Sequence, residues 1–316
     1  MNTTASRFVG LLIVATCMTH VLASAQPAME VASTVALLEG PTVDEAGQVY
    51  VSDVRSNRIL KLDAEGRLSV FRTSSNGSVG LLIDSEGRLI ACEGGSDAPD
   101  GVGERRPARI TRTTPKTGAT EVLADHFEGR PFSQPNDLAM DSKGRLYFTD
   151  MRGAAVYRVD GPGRIARILA APDVGHPNGI QVSPDDRTLY VVESGTGKDD
   201  RREIRAFELR ADGSLGASRQ LYDFYPGRSA DGLSIDVEGN IYASAGISRL
   251  RNTSETLATP TGVYVISPAG RLLEFLPVPQ DVITNNTFGG PDRKTLYVTA
   301  GPTLYKVRRS IAGFHR

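Results

Sequence analysis

Residues 136–150 read NDLAMDSKGRLYFTD. Two short apolar runs, 138–140 and 146–149, flank the turn Asp141-Ser142-Lys143-Gly144, and Asp-x-x-Gly between such runs is a β-hairpin signal. The phrase recurs as EGPTVDEAGQVYVSD from Glu39, VGLLIDSEGRLIACE from Val79, NGIQVSPDDRTLYVVE from Asn178, DGLSIDVEGNIYASA from Asp231 and NNTFGGPDRKTLYVTA from Asn285. A third and a fourth run follow each hairpin, as at 156–159 and 165–169. Four antiparallel strands per unit make the blade of a β-propeller.

Aligned on Tyr50, Ile90, Tyr147, Tyr190, Tyr242 and Tyr297, the copies recur after 40, 57, 43, 52 and 55 residues, blade lengths with insertions. The sequence therefore predicts an all-β, six-bladed β-propeller. The last copy is followed by one further run, 303–307, and segment 30–37 reads as its missing outer strand. Pairing of the N- and C-terminal segments then closes the ring.

The chain has two further parts by this reading. Residues 1–25, with Arg7, an apolar stretch at 8–15 and Ala23-Ser24-Ala25, read as a cleaved secretory signal, too short in its apolar part to span a membrane. Residues 26–316 form one propeller domain, expected to be periplasmic or secreted and without a membrane span. Cleavage removes Cys17 and leaves Cys92 alone, so no internal disulfide is available to the mature chain. A net charge of −1 gives no support for nucleic-acid binding.

The first residues of the six copies form a column: Glu39, Val79, Asn136, Asn178, Asp231 and Asn285. Five of the six carry side-chain oxygens, and a propeller brings them to one mouth of its central channel. Glu39, Asn136, Asn178 and Asp231 offer two carboxylates and two amide oxygens, a donor set for a hard cation of the calcium type. A column without Cys or His makes zinc or copper a poor choice. For any one Asn or Asp alone, turn capping is the better reading. A second column, Asp53, Glu93, Asp150 and Glu193, ends the second strands. Its members are candidates for substrate or supporting contacts, with anchoring of the next loop through backbone N–H groups the stronger reading for each. The long polar connections 94–108, 194–203 and 246–261 fall on the column face, and their arginines 105, 106, 201, 202, 249 and 251 read as solvated loop charges. His176 near the mouth and His126 farther off are candidate proton carriers, with exposed or loop-anchoring roles favoured.

The phrases EGPTVD, RPFSQPNDLAMDSKGRLYFTD, HPNGIQVSPDDRTLYVVES, ADGLSIDVEGNIYAS and TNNTFGGPDRKTLYVTA resemble the senescence marker protein, or gluconolactonase (regucalcin-like), family. The resemblance runs in order and register through the mature chain. It implies one catalytic divalent cation, usually calcium, with magnesium, manganese or zinc as alternatives, and hydrolysis of a lactone to its hydroxy acid. It places Glu39, Asn178 and Asp231 on metal ligands, Asn136 on a substrate or metal contact, and Asp231 on the general base. Gln134 stands where some sugar-lactonase relatives carry arginine, so the resemblance implies lactone opening more firmly than a sugar substrate. Gln134, Glu93 and Asp150 are the further substrate-contact candidates. A phosphotriesterase or other ester hydrolase, and a non-catalytic binding propeller, are the competing readings.

Overall fold

The computed structural model describes residues 29–95 and 107–316. The region read as a signal peptide, Cys17, Arg105 and Arg106 lie outside the described residues.

Six four-stranded antiparallel sheets surround a central channel. Their innermost strands are Leu38–Val43, Ser78–Ile83, Pro135–Met140, Pro177–Val182, Ala230–Ile235 and Ile283–Gly289, in blades 1 to 6. Each touches the innermost strands of both neighbouring blades, so the ring is continuous. Blade 6 takes its outer strand from the other end of the chain: Glu30–Thr34 pairs antiparallel with Thr303–Arg308. This is the closure read from the sequence, and it removes the free edge that an incomplete blade would leave.

The hairpin turns explain why the repeat is written as it is. Asp44, Asp84, Asp141 and Asp236 each accept a hydrogen bond from the backbone N–H four residues on, at 2.9–3.0 Å. The same carboxylates take the hydroxyl of Tyr50, Tyr147 or Tyr242 in three of the blades. The turn glycine, as at Gly144 with φ +74°, supplies a left-handed backbone that side-chain-bearing residues resist.

The described apolar core is divided among six clusters, each wedged between two adjacent blades. One joins Ile90, Cys92 and Ile110 of blade 2 to Phe132, Leu138 and Phe148 of blade 3. The next joins Tyr147 and Val156 of blade 3 to Ile180, Leu189 and Phe207 of blade 4. Every blade therefore buries both faces, and burial of these side chains at about 25 cal/mol per Å² drives closure without a cross-link. Cys92 is a buried free thiol in this packing.

On the face opposite the column, the C-terminal tail crosses the channel floor. Phe314 N–H donates to Ile235 O at 2.8 Å, His315 Nε2 lies 3.2 Å from Val43 O, and Arg316 donates to Ser183 O at 2.7 Å. Blades 5, 1 and 4 are thus tied together beneath the channel. No helix among the described residues is long and apolar enough to cross a membrane.

Candidate metal centre

Each column residue sits at an irregularity of its inner strand. In blade 3, Pro135 pairs with Asp150 and Leu138 with Phe148, so Asn136 and Asp137 together face a single partner residue. The same shift takes in the column residue in blades 2, 4 and 5, whereas in blade 1 it follows Glu39 and in blade 6 it precedes Asn285. A bulge of this kind turns side chains out of the regular alternation, a common device beside functional sites.

The residue after each column position is Gly40, Gly80, Asp137, Gly179, Gly232 or Asn286. The four glycines are required by close approach. A Cβ on Gly40 would lie 2.1 Å from Val79 O, and one on Gly179 would lie 2.4 Å from Asp231 O. Neighbouring inner strands are therefore in backbone contact at the mouth, which draws the column residues together.

The structure brings Glu39, Asn178 and Asp231 into one electrostatic unit. Burial raises the Glu39 carboxyl well above the usual carboxylate range, and the charge of Asp231 raises it further. Burial also raises Asp231, opposed by Arg228 and by a hydrogen bond from Asn178. Two buried carboxylates in a partly desolvated mouth attract positive charge, which Arg228 supplies on one side of Asp231, and the Asn178 amide stands beside Asp231. These oxygen donors fit a hard divalent cation. Asn136 is buried on the inner strand between those of Val79 and Asn178, and Asn285 is buried on the far side of the ring.

Asp137, not singled out from the sequence, belongs to the same unit. It lines the channel below the mouth, and burial pushes its carboxyl up to about 7 against the N–H donors that hold it. Its Oδ1 accepts from Leu138 N at 2.9 Å and its Oδ2 from Asn285 Nδ2 at 3.3 Å. The available signal was its position, where four other copies have glycine.

The second column works behind the mouth. Asp150 accepts from the backbone N–H groups of Ser133, Gln134 and Gly153 at 2.9, 2.6 and 3.2 Å. Glu193 does the same for Gly175 and His176. Asp53 binds Arg58 at 2.9 Å. Glu93 is ion-paired with Arg72 and with Arg109, and it also takes the Thr111 hydroxyl. These carboxylates fix the segments leading into the column; Glu93 and Asp150, read as substrate-contact candidates, are fully buried and engaged this way. Gln134 differs, because its Oε1 is shielded from solvent and accepts no hydrogen bond.

One arginine corrects the expectation of solvated loop charges. Arg202 is only 1% exposed. Its guanidinium donates to the carbonyls of Gly195 at 3.0 Å, Gly197 at 2.8 Å and Pro226 at 2.8 Å, and also to Ser254 Oγ. Five donors in a rigid fork suit this many-sided clamp, which joins the 194–203 connection, the 224–229 turn and the 246–261 connection. His176 is half exposed, 3.5 Å from Asp200, and His126 is exposed on an outer hairpin beside Asp125.

A closed six-bladed ring with an oxygen-rich mouth and a covered floor defines a β-propeller whose polar residues converge at one end of its channel. Residues 37–301 match the SMP-30/Gluconolactonase/LRE-like region, and the chain belongs to that family. It is 26% identical to a gluconolactonase of Zymomonas mobilis subsp. mobilis, over 91% of this chain and 82% of that one. The solved structure of a gluconolactonase from Xanthomonas campestris superposes with a TM-score of 0.73 at 27% identity, covering 90% of each chain. A calcium-binding regucalcin of Agrobacterium tumefaciens shares the fold, with a TM-score of 0.68 at 22% identity, over 90% of this chain and 95% of that one.

Proposed function

We propose that this protein is a metal-dependent lactonase that opens a cyclic ester to its hydroxy acid at the channel mouth. Membership of the gluconolactonase family supports the reaction class. The observation that carries the metal dependence is the pairing of Glu39 with Asp231 beside Asn178, two buried carboxylates that share the single guanidinium of Arg228 and so retain an excess of negative charge. Calcium is the cation we assign, because the donors are all oxygen and their number leaves positions for water and substrate.

Glu39, Asn178 and Asp231 would hold the ion, with Asn136 turned to it or to substrate. When bound, the cation supplies Lewis-acid polarisation of the lactone carbonyl. Asp231 accepts a proton from the attacking water as its oxygen bonds to the carbonyl carbon, and the proton then passes to the ring oxygen when the C–O bond breaks. Arg228 and Asn178 orient the Asp231 carboxylate for this exchange. We also propose that the enzyme acts outside the cytosol, on the character of residues 1–25.

The test is a panel of aldonolactones and aliphatic lactones, with simple esters and phosphotriesters alongside. Turnover of lactones that chelator abolishes and calcium restores supports the assignment. Metal binding with no hydrolysis of any member would instead favour a binding propeller.

A further inference from the structure

Arg228 lies three residues before Asp231, in the turn leading into the inner strand Ala230–Ile235. Its Nη2 donates to Asp231 Oδ2 at 2.7 Å and its Nη1 to the Ile283 carbonyl at 3.0 Å. Its Nε lies 3.9 Å from Glu255 Oε1 in the long 246–261 connection. The Arg228 side chain is 14% exposed and that of Glu255 is 3% exposed, so these charges are largely withdrawn from water. One of the assigned metal ligands thus already has a positive partner, tethered to the chain and bonded to two different blades.

We propose that Arg228 is a built-in counter-cation: it stabilises the metal-free mouth and opposes entry of the divalent ion, so that it sets the metal affinity of the site. The proposal rests on the reading that Glu39, Asn178 and Asp231 hold a cation. Two effects give its sign. Asp231 Oδ2 is occupied by the guanidinium, so an incoming ion either shares the carboxylate through Oδ1 or displaces Arg228. An ion at Asp231 also stands close to a fixed positive charge, and repulsion is strong where hydration is poor. The contrary effect, orientation of Asp231 by Arg228, is the weaker one, because Asn178 and the inner-strand backbone also hold Asp231 in place.

Glu255 completes the device. Its carboxylate is held by the Thr253 hydroxyl at 2.8 Å and sits within reach of the guanidinium on the side away from the Ile283 carbonyl bond. When Asp231 turns to a cation, Glu255 is the remaining carboxylate partner for Arg228 and lessens the repulsion. Arg251, ion-paired with Asp281 at 3.5 Å, adds a weaker positive influence on Asp231. The mouth therefore combines ligands that attract a dication with a tethered arginine that limits how tightly it is held.

Calcium titration by calorimetry on the purified protein, with melting temperatures in chelator and in calcium, tests this. Arg228→Met should bind calcium at least tenfold more tightly than the wild type. It should also melt at a lower temperature in chelator, so that calcium raises its melting point by more. Glu255→Gln should bind calcium several-fold more weakly. Wild-type or weaker calcium affinity in Arg228→Met overturns the proposal. Should that variant not fold, Arg228→Gln replaces it: tighter calcium binding supports the counter-cation, and unchanged or weaker binding overturns it. A wild-type protein that takes up no calcium, magnesium or manganese overturns the metal reading itself and the counter-cation with it. Tight wild-type binding with no gain on removing Arg228 overturns the counter-cation alone.

Discussion

Asn285 reaches across the channel and donates from Nδ2 to Oδ2 of Asp137, 3.3 Å away. The two residues belong to blades 6 and 3, opposite members of the ring, so this hydrogen bond spans the axis on which the mouth residues converge. Room for it is made by glycine. A Cβ on Gly232 would lie 2.0 Å from Asn285 Cγ, and one on Gly80 would lie 2.8 Å from Asp137 Oδ1. Asn285 Oδ1 meanwhile accepts from Asn286 N at 2.8 Å, which leaves the amide group oriented for Asp137.

Replacing Asn285 by Ala removes a donor from a buried carboxyl and frees Asn286 N. A loss of about 1–3 kcal/mol in unfolding free energy follows, the usual cost of an unsatisfied buried polar group. Urea denaturation in chelator measures it, and an unchanged midpoint would show that the cross-channel bond carries no stability.

Asp231→Asn keeps the shape of the side chain but removes both its charge and its basicity. Turnover should fall by about 10²-fold or more with the fold retained. Circular dichroism and lactone titration check the two halves of this statement; a variant that binds metal and hydrolyses at the wild-type rate excludes Asp231 as the base.

Removing the metal should destabilise the folded protein as well as silence it. A ligand present at a hundred times its dissociation constant stabilises by about 2.7 kcal/mol. Melting temperature should therefore keep rising with the logarithm of calcium concentration above the dissociation constant, and the concentration at which that rise sets in should match the half-point for recovery of activity.

Arg202→Met leaves the carbonyls of three mouth segments without their shared donor. The loss should be about 3 kcal/mol or more, and Lys should restore little of it, because three donors on a flexible stem cannot match the guanidinium fork. Hydrogen exchange should show the 194–203 and 246–261 connections opening together. Independent opening of the two would mean that Arg202 does not join them.

The floor of the channel has its own pH dependence. Burial lowers the pKa of His315 below its ordinary 6.5, with Arg293 adding to the effect. Above that value the imidazole is neutral in both folded and unfolded chains and costs nothing. As pH falls below it, the unfolded chain takes up the proton first, so stability is lost until the folded-state value is passed. The melting temperature of the wild type relative to His315→Phe should fall between pH 7 and 5, and a difference that stays constant over that range would contradict this origin.

The parts legible in advance were those encoded by local chemistry and repetition. Asp141, Gly144 and Tyr147 write the same hairpin that Asp44, Gly47 and Tyr50 write in blade 1, because one carboxylate closes the turn and takes the tyrosine hydroxyl. Six copies of the strand-turn-strand phrase, four of them with this aspartate turn, determined the blade count, the closure of the ring and the column at one mouth. Asp150 and Glu193 were legible as binders of backbone N–H groups, but the next loop was the expected partner, and only Gly153 lies there; the others, Ser133, Gln134, Gly175 and His176, precede the hairpin.

Asp137, Arg202 and Arg228 could not be read in this way. The role of Asp137 depends on Asn285, 148 residues later, and on the space left by Gly80. Arg202 looks like a loop charge until carbonyls from separate connections surround it. Sequence alone determined the all-β propeller and the residues able to offer oxygen to a cation, since turn chemistry and side-chain type are local properties. Tertiary structure alone decided which charges face one another at the mouth, because electrostatic pairing depends on distances set by closure of the whole ring.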